Sequence, residues 1–266
     1  MINQFLYVLL IMCTGCINAA IAQQQNIEKQ TFESVVYPKG YTAKIDVFYR
    51  DSTFSNCRMD IYFPVKTDKP VPVVIHMHGG GWNHGVKESQ RGFGMFFRNN
   101  MAVANVEYRM TGEATAPAAV EDVRAALIYL LQNASDLNID KNKIIMHGGS
   151  SGAHLALTAG YLQNNRIYDT GTKPYKPEIH ILAVIDKYGP ADLVEFAYYG
   201  SLKKWLGSKA NDKKFVASIS PVELVNANTP PTFIVHGEAD NIVPIAQSEA
   251  LQKKLEAVGV MHKFIR

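Results

Sequence analysis

Cysteine is scarce in this chain: three in 266 residues, at Cys13, Cys16 and Cys57. A scaffold stapled by disulfides is therefore excluded. Charge of one sign is lacking too. The 27 basic and 24 acidic residues leave a net charge of only +3, with no basic stripe, which argues against a nucleic-acid binder. There is no internal repeat and no break in composition, so nothing divides residues 23–266, which read as one domain. A long apolar run is also missing. The N-terminal one, Phe5 to Met12, falls short of the roughly 20 residues that span a bilayer. What remains is an ordinary globular composition, 47% hydrophobic and 19% charged.

The short apolar run has a different reading. Small and polar residues follow it and lead to Ala20-Ile21-Ala22, an A-x-A pattern before Gln23. Residues 1–22 are expected to be a signal peptide, and the protein to be secreted or periplasmic. An alternative is a lipoprotein signal ending at Thr14-Gly15-Cys16, with a lipid anchor on Cys16. Cleavage before Gln23 would leave Cys57 alone and the mature chain without an intrachain disulfide.

From there the chain alternates. Thr42–Arg50 and Arg58–Phe63 read as an antiparallel hairpin, and Val73–Met77 as a strand buried on both faces. Glu88–Asn99 reads as a helix and Ala102–Tyr108 as a strand. Ala116–Gln132 is an amphipathic helix, with Val120, Val123, Leu127, Leu130 and Leu131 on one stripe. Lys143–His147, Ala183–Tyr188, Thr232–His236 and Val260–Ile265 are further strands, with helices at Ala153–Leu162 and Ile245–Val258. The stretch Ala191–Pro221 reads equally as a small lid or as a helix with a loop. The alternation predicts an α/β fold, a mostly parallel central sheet with helices on both faces and an antiparallel N-terminal hairpin.

Three loops at strand carboxyl ends carry chemistry, and in such sheets ligands sit at that edge. Gly148-Gly149-Ser150-Ser151-Gly152 is a G-x-S-x-G turn between a strand and a helix, the context that projects Ser150 as a nucleophile. The glycines on either side let strand and helix pass without a Cβ clash. His78-Gly79-Gly80-Gly81-Trp82 follows a buried strand, and three bare glycine amides there suit a developing oxyanion. Gly237-Glu238-Ala239-Asp240-Asn241 supplies a carboxylate, with Glu238 competing with Asp240.

With these motifs, together with Tyr108-Arg109, Pro117–Ala126 and Tyr188-Gly189-Pro190-Ala191-Asp192-Leu193, the sequence resembles the α/β-hydrolase superfamily. Within it, the chain is similar to bacterial carboxylesterases and lipases with the HGGGW loop, of the feruloyl or acetyl-xylan esterase type. The resemblance implies Ser150 as nucleophile and an oxyanion hole of Gly80, Gly81 and Ser151. It implies Asp240 as the carboxylate that orients a histidine, because the family's acid stands just before Val-Pro. Trp82 is a candidate substrate contact. No cofactor and no metal is expected, since no ligand-spacing motif joins the histidines. The substrate is expected to be a small-molecule or polysaccharide-linked ester. Two alternatives stay open: a serine peptidase of the prolyl-oligopeptidase type, and a non-catalytic binding protein on the same fold.

The base is the difficulty. In this fold the order along the chain is Ser, Asp, His, and only His262 follows Asp240. It falls inside a strand, where relatives place their histidine in a later loop. Three readings follow: a fragment that lacks its last loop and helix, with the true base beyond residue 266; His262 itself as the base; or a non-catalytic member. The first is preferred, because the chain stops within an apolar strand. His147, His154 and His236 read as packing residues around the turn and the acid loop.

Overall fold

The computed structural model describes residues 35–266, so the expected signal peptide and Cys16 lie outside the described residues. Eight strands form one sheet in the order β1-β2-β4-β3-β5-β6-β7-β8. Strand β1 (Tyr41–Phe48) pairs antiparallel with β2 (Arg58–Pro64), and β2 antiparallel with β4 (Ala102–Val106). The remaining strands run parallel: β3 (Val71–Met77), β5 (Ile139–Gly149), β6 (Ile181–Lys187), β7 (Thr232–Val235) and β8 (His262–Ile265).

The apolar run in β3 is continuous because both of its faces are covered. Val73, Ile75 and Met77 enter the larger core, whereas Val74 enters a smaller one on the opposite face. The larger core is closed by helices α2 (Ala118–Gln132), α3 (Ser151–Leu162) and α7 (Ala246–Ala257), which contribute Val123, Leu127, Leu155 and Leu251. The smaller core lies under α1 (Gly94–Arg98), through Phe96 and Phe97. No helix among the described residues is long and apolar enough to cross a membrane.

Two expectations change in the structure. The single helix expected over 88–99 is broken. A 3-10 turn at Lys87–Ser89 ends before Gly92, whose φ of +89° no helix accommodates, and only Gly94–Arg98 is α-helical. The stretch 191–221 holds two short helices, α4 (Gly200–Leu206) and α5 (Lys213–Ser218), and a third, α6 (Pro221–Leu224), begins at its last residue. Asp212 caps α5 by accepting from the Phe215 amide. Cys57 is buried and free.

Candidate active site

The sharp turn after β5 shows how this sequence aims one side chain. Ser150 has φ +54° and ψ −127°, a region that non-glycine residues avoid. The turn closes only because its flanks carry no Cβ. One added at Gly148 would stand 2.3 Å from the Gly152 carbonyl; one at Gly152 would stand 2.3 Å from the Met77 oxygen and 2.4 Å from the His78 oxygen. The Ser150 amide donates to the Lys187 oxygen at 2.9 Å, tying the turn to β6.

The glycine loop after β3 lies against this turn. A Cβ at Gly79 would meet the Gly149 oxygen at 2.9 Å and Ser150 Cβ at 3.4 Å. Gly80 and Gly81 have φ of +121° and +57°. Among the described residues, the amides of Gly80, Gly81 and Ser151 donate to no protein acceptor. They are three unused donors in the loops that meet at Ser150. The loop is pinned from behind by His78, whose Nδ1 is 2.7 Å from the Gly79 oxygen and whose Nε2 is 3.0 Å from Glu107 Oε1. Glu107 also accepts from the Lys87 amide at 2.7 Å, and His78 stacks on Tyr108. Glu107, directly before the Tyr108-Arg109 pair, was not singled out by the sequence.

Asp240 emerges from the same sheet edge, two strands away. Its Oδ1 accepts from the amides of Ile242 and Val243 at 2.9 and 3.0 Å. Its Oδ2 lies 3.6 Å from His236 Nε2. Glu238 is exposed, and these turn bonds belong to Asp240. His236 is buried between Ser248 Oγ and the Val243 oxygen, both at 2.7 Å, and holds the loop closed.

Two of the expected roles are corrected. Trp82 offers no surface to a substrate. It is 1% exposed, stacks on Trp205 with ring centres 4.8 Å apart, and donates to His154 Nδ1 at 3.3 Å. His262 is at the wrong end of the sheet. It pairs with Thr232, which pairs with Val184, which pairs with Met146. Ser150 lies four residues beyond Met146 and three strands across, so the two are about 19 Å apart. His262 instead bonds the Val260 oxygen at 2.8 Å.

All eight histidines of the sequence lie within the described residues. None of them bonds the Ser150 hydroxyl. His78, His154 and His236 are buried with both ring nitrogens engaged. His180 is exposed beside Glu178, at the amino end of β6. His84 is exposed beside Asn83. His76 and His147 bond each other on the smaller sheet face. Among the described residues, no three His, Cys, Asp or Glu side chains group as metal ligands.

Asp186, at the end of β6, is a buried acid beneath the turn. Its Oδ1 accepts from the Gly189 amide at 2.8 Å, and its Oδ2 has no partner. Burial pushes its pKa up to about 7, against the Gly189 bond, which lowers it. The folded state then holds a proton that the unfolded chain has already released. Stability falls as pH rises from the ordinary carboxylate range toward 7. Asp186→Asn keeps the shape and the acceptor. The histidines buried in both proteins shape both curves alike, so the expected signal is the difference: relative to Asp186→Asn, the parent should lose stability between pH 5 and 7. Parallel melting curves across that range would contradict this.

Comparison with known proteins places this geometry in a wider group. The family model described as BD-FAE matches residues 59–255. Esterase LipC of Mycobacterium tuberculosis is 27% identical over 202 residues, covering 72% of this chain. The match covers 50% of LipC, so the chain spans about half the length of that relative. A solved truncated carbohydrate esterase from gut microbiota superposes with a TM-score of 0.79 at 27% identity, over 88% of this chain and 90% of that one. The acetyl ester-xyloside bifunctional hydrolase of Caldicellulosiruptor lactoaceticus superposes with a TM-score of 0.69 at 25% identity, over 87% and 86% of the two chains.

Proposed function

The chain belongs to the BD-FAE family, and from that premise we propose that it is a serine carboxylesterase acting on small or polysaccharide-linked carboxylic esters. The observation that carries this reading is the strained Ser150 facing a glycine loop with unused amides. Ser150 Oγ attacks the ester carbonyl carbon. The Gly80, Gly81 and Ser151 amides stabilise the oxyanion of the tetrahedral intermediate by a few kcal/mol. Collapse breaks the bond to the alcohol and leaves an acyl-enzyme, which water hydrolyses by the same steps in reverse order. Asp240 orients the imidazole that shuttles the proton and stabilises it when charged. No imidazole among the described residues bonds Ser150, which supports the reading that this base lies outside residues 35–266. The names of the carbohydrate esterase and the acetyl ester-xyloside hydrolase support acetylated polysaccharide as the substrate class.

The test is hydrolysis of p-nitrophenyl acetate with added imidazole, corrected by the Ser150→Ala protein. A serine site that lacks only its base should show Ser150-dependent turnover that rises with imidazole. No difference between the two proteins at any imidazole concentration would remove the esterase reading.

We also propose export, on the pattern of residues 1–22. Mass spectrometry of the mature N-terminus checks it: a start at Gln23 supports secretion, and a lipidated Cys16 supports the anchored form.

A further inference from the structure

Along the chain His154 reads as a packing residue, and the acyl-transfer steps do not use it. In the structure it joins the two segments that carry the unused amides. It stands on α3 one helical turn after Ser151, whose amide is one of the three. Its Nδ1 accepts from Trp82 Nε1 at 3.3 Å, and Trp82 directly follows Gly80 and Gly81, which carry the other two.

The proton on the ring is fixed from both sides. Nε2 faces the Ile219 oxygen at 2.9 Å, a carbonyl that only accepts, so Nε2 carries the hydrogen. Nδ1 faces an indole N–H, which only donates, so Nδ1 is bare. The ring is neutral and held in one tautomer. Burial favours the neutral form, pushing its pKa down to about 4 against the Ile219 bond, and no charged group contributes. An imidazolium there would set N–H against N–H at Trp82.

Trp82 needs such a hold. Its φ is +59°, a region that a non-glycine residue keeps only where its surroundings over-determine it. Three partners do so. Its oxygen accepts from the Thr111 amide at 2.8 Å and the Thr111 hydroxyl at 2.9 Å. Its ring stacks on Trp205 of α4, and its Nε1 goes to His154. Of the three, His154 alone belongs to the helix that begins with Ser151. The close approach of Gly152 to the His78 oxygen ties the front of the glycine loop to that helix, and His154 ties its end.

We infer that His154 is a positioning residue for the oxyanion hole: by holding Trp82 it sets the Gly80 and Gly81 amides at a fixed spacing from the Ser151 amide. The inference rests on the reading of Ser150 as nucleophile. Donors help the transition state only where the oxyanion forms, so a loop displaced at Trp82 loses rate rather than ground-state affinity.

The test follows hydrolysis of p-nitrophenyl acetate at a fixed imidazole concentration, corrected by Ser150→Ala. His154→Leu removes the acceptor and keeps a side chain of similar size. His154→Asn keeps an acceptor oxygen at the Nδ1 position. His154→Leu should lower kcat by at least about 10-fold and move KM by less than about 2-fold, and His154→Asn should stay within about 3-fold of the parent. Trp82→Phe removes the donor and keeps a ring against Trp205. It should lose as much as His154→Leu, and the double variant no more than either. NMR reads the contact itself. The chain has two indole N–H groups, and that of Trp205 has no partner among the described residues. The Trp82 resonance should move toward that of Trp205 in His154→Leu and stay in place in His154→Asn. If His154→Leu does not fold, Trp82→Phe set against His154→Asn makes the same comparison. Parent kcat in His154→Leu, a loss carried by KM, an equal loss in His154→Asn, or losses that multiply in the double variant would overturn the inference. Absence of Ser150-dependent hydrolysis in the parent would instead remove the esterase reading, and this inference with it.

Discussion

Ser150→Gly should make the protein inert and more stable at once. Ser150 sits at φ +54°, ψ −127°, where a side chain costs on the order of 1–3 kcal/mol. Glycine removes that strain and gives back about 0.5–1 kcal/mol through the greater freedom of the unfolded chain. A net gain of about 1 kcal/mol corresponds to about 2–4 °C in melting temperature for a chain of this size. Ser150→Ala keeps the Cβ and the strain, so it should match the parent in stability. Both variants lose the hydroxyl. Loss of the nucleophile in a well-studied serine hydrolase costs on the order of 10⁶ in kcat. Ser150-dependent turnover, measured with imidazole present, should vanish in both. The pair separates strain from chemistry: a glycine variant no more stable than the alanine variant would mean that the turn stores no strain.

The second large effect is at Gly152. Its Cβ position lies 2.3 Å from one backbone oxygen and 2.4 Å from the next, and neither can rotate away. Gly152→Ala must push the start of α3 from the end of β3. Overpacking against backbone should cost about 3 kcal/mol or more, about 6–12 °C in melting temperature. The same displacement moves the glycine loop relative to Ser150, so turnover should fall even below the melting transition. Gly148 faces Gly152 across the turn. Gly148→Ala presses the start of α3 from β5 and Gly152→Ala presses it from the end of β3, so both displace the same helix start, and the double variant should lose less than the sum of the two. Gly112→Ala, with nothing within 4 Å of its Cβ position, should stay within about 0.5 kcal/mol of the parent. Thermal melts of these four proteins check the series, and additive losses would contradict the account of one shared displacement of the helix start.

Much of this was legible along the chain because it is local. Strand–glycine–serine–glycine–helix is a pattern of five neighbouring residues. The apolar run of β3 and the helix α3 were read to their observed ends, each starting two residues late. Features that depend on register or distant partners were not legible. Trp82 read as a substrate contact, because nothing near it shows that Trp205 will cover its face. His262 read as a candidate base, because chain order does not say which end of β8 it occupies; the pairing with Thr232 does. His147 read as a packing residue, and nothing along the chain joins it to His76. Parallel register sets them opposite one another, and the Gly92 break in the expected helix brings in Gln90.

The central claim is that Ser150 is the nucleophile of a site complete but for its base. The most direct measurement is peptide mass spectrometry after treatment with a fluorophosphonate, with and without imidazole. The account predicts one phosphonyl adduct, on the peptide containing Ser150, forming faster as imidazole is added and absent from Ser150→Gly. An adduct on another residue, or none on Ser150 at any imidazole concentration, would contradict it.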